Sequence, residues 1–182
     1  MPTSILTVGH SNRTLIELID LLRSAGIHTL VDVRAYPQSR RHPQFSSDSL
    51  RSAVEDAGMI YHWAGRRLGG KRFPRPDSPH LALAEDSLRG YADYMQTDAF
   101  QKAAAQLTAL AGRTPTAILC AERSPENCHR SLISDYLTLQ GVRVVHLITP
   151  SETGEHQLSP LIRRESARLV YDRNATGSLD LG

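Results

Sequence analysis

Five short apolar runs, spaced along the chain by stretches of helical periodicity, constrain the possible folds more than any other feature. SILTVGH (4–10), IHTLVDV (27–33), MIYHW (59–63), TAILC (116–120) and VRVVHLI (142–148) are rich in β-branched and aromatic residues and read as strands. Between the first two, Leu15, Leu18, Ile19 and Leu22 fall at helical spacing, Thr14 with Glu17 makes a capping box, and Gly26 supplies the stop. Ser47 opens a second helix that runs to about Ala57 and ends at Gly58. Helical patterns follow at Leu88–Met95, in DAFQKAAAQLTALAG, and in HRSLISDYLTLQG with Leu132, Ile133, Tyr136 and Leu137 on one stripe. Ser159-Pro160 reads as an N-cap with proline at the first helical position, which predicts a terminal helix through about Asp172. Parallel neighbours need crossover connections, so the alternation predicts an α/β fold: one three-layer α/β/α domain over 1–173 with a mostly parallel five-stranded sheet. The polar tail 174–182 is expected to be loose.

Length and composition narrow the class further. A chain of 182 residues, 40% hydrophobic, suits one compact core. No apolar segment approaches the roughly 20 residues that a spanning helix needs, and no basic stretch with an apolar run opens the sequence. No membrane association is expected, and the chain is expected to be cytoplasmic, where Cys120 and Cys128 stay reduced. The net charge of +2 is unevenly spread: Arg34 to Arg75 holds nine Lys/Arg against Asp48, Glu55 and Asp56. That local excess argues for a positive surface that meets an anion, with a merely solvated basic face as the alternative.

In a parallel α/β sheet, ligands sit beyond the carboxyl ends of the strands. His10-Ser11, Asp32-Val33-Arg34, His62-Trp63, Cys120-Ala121-Glu122 and Thr149-Pro150 stand at those ends. Their polar residues are therefore expected to converge on one edge. Glu122 or Asp32 would act there as general acid or base, and His10 would position the reacting group. The competing roles are salt bridges, from Glu122 to Arg34, Arg123 or Arg130 and from Asp32 to Arg34. Arg34, Arg40, Arg41 and Arg130 carry guanidinium forks that match phosphate, and Ser11 lies beside them. Tyr36, Phe45, Tyr61, Trp63 and Phe73 interleave with the basic residues, and stacking of bases on aromatics beside a cationic track is how exposed nucleotides are held. Tyr61 and Trp63 are equally suited to core packing.

The segment CAERSPENCHR (120–130) allows several chemistries. Cys120 ends an apolar strand, as a small buried hydrophobe does. Cys128 precedes a helix whose N-terminal partial charge, with His129 and Arg130, would lower a thiol pKa and bind an anion; capping or packing is the alternative. Cys128-His129 with Cys120 or His10 fits no common zinc spacing, so neither a metal nor a cofactor is expected.

Five stretches taken together resemble a known family: TVGHSNRT, VDVRAYPQSRRHPQF, GMIYHWAGRRLGG, YADYMQT and ILCAERSPENCHR. They are similar to the DUF488 family of bacterial and archaeal proteins, from about Thr7 to Leu147, and that resemblance implies no particular reaction. A weaker, topological resemblance is to rhodanese-like domains, in which an acidic-Val-Arg strand end precedes a strand ending in a catalytic cysteine. Those domains and the cysteine phosphatases commonly carry Cys-x5-Arg, whereas here Glu126 stands six residues after Cys120 and Arg130 four further on. Three readings follow. The first is an enzyme acting on a nucleotide or nucleic acid, by hydrolase or glycosidic-bond chemistry; the second is a non-catalytic nucleic-acid binder using the 34–75 surface; the third is thiol chemistry at Cys120 or Cys128. The sequence leaves the oligomeric state open.

Overall fold

A computed structural model describes residues 2–166 and 168–173 and gives a mixed α/β fold. Strands β1 (Ser4–Gly9), β2 (Thr29–Asp32), β3 (Ile60–Trp63), β4 (Thr116–Cys120) and β5 (Arg143–Thr149) pair in parallel, in the order β3-β2-β4-β1-β5. A sixth strand, β6 (Glu152–Glu155), adds antiparallel to β5, so the sheet has six strands where the apolar runs predict five. Every residue of β6 is exposed, so hydrophobicity does not mark it; backbone pairing to β5 makes it a strand.

Helices flank both faces of the sheet. The alternating pleat of β4 sends Ala117 and Leu119 to one face and Ile118 and Cys120 to the other. On the first face these side chains meet α1 (Leu15–Ser24) and α2 (Ser47–Asp56) through Leu18, Leu22, Leu50 and Val54. On the other they meet α4 (Asp86–Tyr94), α5 (Asp98–Ala111) and α6 (Arg130–Leu139) through Tyr91, Phe100, Leu107, Leu132 and Ile133. Each fully buried Leu, Ile or Phe contributes about 1.5–3 kcal/mol relative to exposure. The local signals work as written: Thr14 Oγ1 accepts from Glu17 N at 3.1 Å, and Gly26 and Gly58 take φ of 70° and 81° after their helices. A four-residue helix, α3 (Gly65–Leu68), opens the otherwise irregular 64–79 segment.

The expected terminal helix over 159–172 is instead a two-stranded hairpin, β7 (Ile162–Glu165) with β8 (Arg168–Tyr171). Tertiary contacts decide it. Tyr171 N donates to His80 Nδ1 (3.1 Å), Ala82 N donates to Tyr171 O (2.8 Å), and Tyr171 Oη donates to Asp135 (3.0 Å). A helix would turn these groups away from the 80–82 segment. The tail 174–182 lies outside the described residues.

Strand order also fixes where a ligand fits. The chain leaves β1 through α1 on one face and leaves its neighbour β4 through α6 on the other. The sheet therefore opens a crevice at the carboxyl ends of β1 and β4. The walls stand close there: a Cβ on Gly9 would lie 1.7 Å from Glu122 O, and Ser11 N donates to Ala121 O at 2.8 Å.

Candidate functional site

Two cavities open at this edge and share Arg34, Tyr36, Gln38, Ala121 and Glu122 as walls. One, of about 480 Å³, is bordered by His10, Ser11, Asn12, Arg41 and His42 as well. The other, of about 450 Å³, is bordered by Lys71, Glu85, Cys120, Cys128 and His129. The 34–42 loop thus faces the ends of β1 and β4 across one cleft, with Arg34, Arg41 and Lys71 set against Glu85 and Glu122.

Arg34 is the fixed cation of the cleft. Its Nε donates to Asp32 Oδ1 at 2.9 Å and Nη2 to Asp32 Oδ2 at 2.7 Å, a bidentate fork held in place by a carboxylate that is fully buried. Tyr61 Oη donates to the same Oδ2 at 2.5 Å, and Arg34 N donates to Oδ1 at 3.1 Å. Burial, then the charge and hydrogen bond of Asp32, push the Tyr61 phenol well above its ordinary pKa. Trp63 Nε1 pins the backbone at Arg34 O (2.9 Å). Both oxygens of Asp32 are therefore engaged, and the residue borders neither cavity. Its geometry is that of a positioning group for Arg34. Tyr61, expected beside a ligand, is 2% exposed and belongs to the core.

His10 lies over Phe45, ring centroids 4.5 Å apart, with Nδ1 2.9 Å from Ser11 O. A carbonyl only accepts, so Nδ1 carries the proton and Nε2 keeps its lone pair. Burial lowers the His10 pKa to about 4, which leaves the ring neutral at physiological pH. Ser11 takes φ of 50°, a left-handed conformation uncommon for a side-chain-bearing residue. Glu122 is exposed to both cavities, and no hydrogen bond or ion pair engages its carboxylate among the described residues. The salt bridges to Arg34, Arg123 or Arg130 that would neutralise it do not form.

The other expected residues divide. Arg41 borders the cleft; Arg40 is exposed outside both cavities. His129 borders the cleft but carries no charge: its Nε2 donates to Val33 O at 2.9 Å, and burial holds its pKa near 4. It therefore does not serve as a cation for an anion. Arg130, expected to reach a phosphate, is fully buried and borders neither cavity; its guanidinium turns inward, where Nη2 donates to Arg123 O at 3.0 Å. Cys128, expected to be the activated thiol, is the opposite. Its hydrogen bond with Cys120, then burial, raise its pKa, and the same contact lowers that of Cys120. Phe45 is buried beneath His10, leaving Tyr36 as the aromatic side chain in the cleft. Sequence reasoning missed Asn12, Gln38 and His42 as wall residues. For Gln38 and His42 the available signal was the density of polar residues in YPQSRRHPQ, which marks a functional loop without saying which members face inward. Among the described residues, no three His, Cys, Asp or Glu side chains form a group suited to a metal.

The family model described as domain of unknown function DUF488 matches residues 14–137. The chain belongs to the DUF488 family. The match takes in α1, the 34–42 loop, β4 and most of α6, and so most of the cleft, while the β1 end with His10 lies just before it. Comparison with curated proteins and with solved structures gave no match. The match contains four of the five stretches quoted above and meets TVGHSNRT only at Thr14, and it assigns no reaction to the cleft.

Proposed function

We propose that the chain is an enzyme that hydrolyses a phosphate-bearing nucleotide in the cleft at the carboxyl ends of β1, β2 and β4, most simply at its glycosidic bond. The reading takes 1–173 as one three-layer α/β/α unit with this single catalytic cleft. The observation that carries it is the unengaged carboxylate of Glu122 sharing cavity walls with a neutral His10 and two arginines. Such a set supplies each part the reaction needs. Arg34, pre-oriented by Asp32, and Arg41 hold the phosphate; Tyr36 offers a face to the base; His10 Nε2 accepts a proton from water. Glu122 stabilises the positive charge that develops on the sugar as the bond breaks. The test is a screen of nucleoside mono-, di- and triphosphates for release of base or phosphate, repeated with Glu122→Gln. General acid–base or carboxylate catalysis contributes about 10²–10⁴-fold. The variant is expected to lose at least about 100-fold in kcat while binding nucleotide as before; a Glu122→Gln enzyme with full activity refutes the role.

A second reading has its own observation. Arg66 and Arg67, with His62 and Trp63, border a separate cavity of about 410 Å³ at the β3 edge, and Phe73 is 94% exposed. A nucleic-acid binder using that edge would lose affinity steeply with salt and would tolerate Glu122→Gln. Replacement of Arg66 and Arg67, which line this cavity and not the Glu122 cleft, would abolish its binding.

A further inference from the structure

The 3-10 turn Pro125–Asn127 folds the chain back on the end of β4, bringing Cys120 Sγ and Cys128 Sγ to 2.9 Å as free thiols. Both border the 450 Å³ cavity, Cys120 from the core side and Cys128 half-buried. Beneath them lies Arg130, the first residue of α6. Its guanidinium is fully buried, Nε and Nη1 have no hydrogen-bond partner, and no carboxylate pairs with it among the described residues. A buried cation left unmatched is costly, and Arg130 N donates to Cys128 Sγ at 3.4 Å, which sets its charge beside the two sulfurs. The two sulfurs share what one proton can bridge: the Cys128 thiol hydrogen-bonds to Cys120 and lowers its pKa, burial opposes this, and the charge of Arg130 favours the thiolate again.

We propose that Cys120 and Cys128 are a reversible dithiol–disulfide modification site in the wall of the cleft, oxidised by a hydroperoxide and reset by a small thiol. The Cys120 thiolate attacks the peroxide, the O–O bond breaks, and an alcohol or water leaves with a proton from the Cys128 thiol or solvent. Cys120 is now a sulfenic acid. The Cys128 thiolate then attacks that sulfur, the S–S bond forms, the S–O bond breaks, and the departing hydroxide takes a proton to become water. Two thiols and one hydroperoxide thus give one disulfide, one alcohol and one water. Two molecules of a small thiol reverse the step and leave as their own disulfide. Oxidation closes 120–128 into a covalent ring that contains Glu122, and it removes the thiolate from beside Arg130. The dithiol form is therefore favoured, which makes the bond a readily reduced one and not a permanent staple. The proposal is independent of what the cleft binds.

The full chain is treated with equimolar hydrogen peroxide, then analysed by intact mass and by alkylation with iodoacetamide. The expected result is loss of two hydrogens and protection of both cysteines within a single chain at every protein concentration, with full recovery in dithiothreitol. In Cys128→Ser, the sulfenic acid on Cys120 persists and is trapped by dimedone. Arg130→Met is expected to slow oxidation at pH 7 by about tenfold or more, the consequence of about one unit of thiol pKa. If that variant does not fold, the pH profile of wild-type alkylation gives the same information: half-maximal reactivity falls below the ordinary thiol value of about 8.5. Two cysteines that remain alkylatable after peroxide, a disulfide found only between chains, or a profile centred at or above that value overturns the proposal.

Discussion

Asp32 has two acceptor oxygens, and Arg34, Tyr61 and the backbone at Arg34 use both of them. Because the carboxylate is fully buried and Arg34 is 7% exposed, neither charge has water to fall back on. Asp32→Asn keeps the volume and removes the charge, leaving the guanidinium buried without its partner. Urea unfolding is expected to show a loss of about 3–5 kcal/mol, the range for breaking a buried pair from one side. The histidines make a second prediction. Burial is the leading cause that lowers His10, His129 and His146 from the ordinary imidazole value of 6.5 to about 4 each. A histidine whose folded pKa is depressed binds its proton first in the unfolded chain, so stability rises with pH across the window between the two values. Stability is therefore expected to fall as pH drops from about 6.5 toward 4. Urea midpoints across that range check it, and His129→Gln is expected to flatten the slope.

The strands and the early helices were legible because their signals are local. Thr14 caps, Gly26 and Gly58 stop, and the β-branched runs match the sheet to within a residue or two. β6 was not legible, since ETGE buries nothing and owes its conformation to the edge of β5. Nor was the C-terminal hairpin: Leu161, Ile162, Leu169 and Val170 suit either periodicity, and the turn at Ser166, with φ of 54°, carries no glycine to announce it. What holds it is a buried polar chain drawn from distant segments. Tyr171 Oη and His156 Nε2 both donate to Asp135, at 3.0 and 2.7 Å, and His146 bridges His156 Nδ1 (2.8 Å) to Thr7 Oγ1 (2.6 Å). Tyr171→Phe leaves Asp135 Oδ2 short of a partner in a site 2% exposed. A destabilisation of about 1–3 kcal/mol by chemical denaturation is expected, with the hairpin loosened ahead of the sheet in amide exchange.

The rule that ligands gather beyond the carboxyl ends of parallel strands makes most of the cleft legible in the sequence: His10, Ser11, Arg34, Arg41, Glu122, Cys128 and His129 all border it. Where that reading departs from the structure, depth is the reason. Asp32, Tyr61 and Arg130 stand near this edge but are buried, and a one-dimensional pattern does not distinguish a polar residue that faces solvent from one turned into the core. The charge pattern was similarly coarse. The excess of cations between Arg34 and Arg75 divides between the cleft, with Arg34, Arg41 and Lys71, and the β3 edge, with Arg66 and Arg67. Among the described residues no helix is long and apolar enough to cross a membrane. Which of the two cationic regions meets the ligand is the question on which the functional account rests. Backbone-amide chemical shifts of the labelled chain, titrated with nucleotides and then with a short single-stranded oligonucleotide, answer it most directly. With nucleotide bound in the cleft, the amides of residues 9–12, 34–42 and 120–123 are expected to move together, with one saturation curve. Shifts confined to 62–75, or none with any nucleotide tested, contradict binding in the cleft.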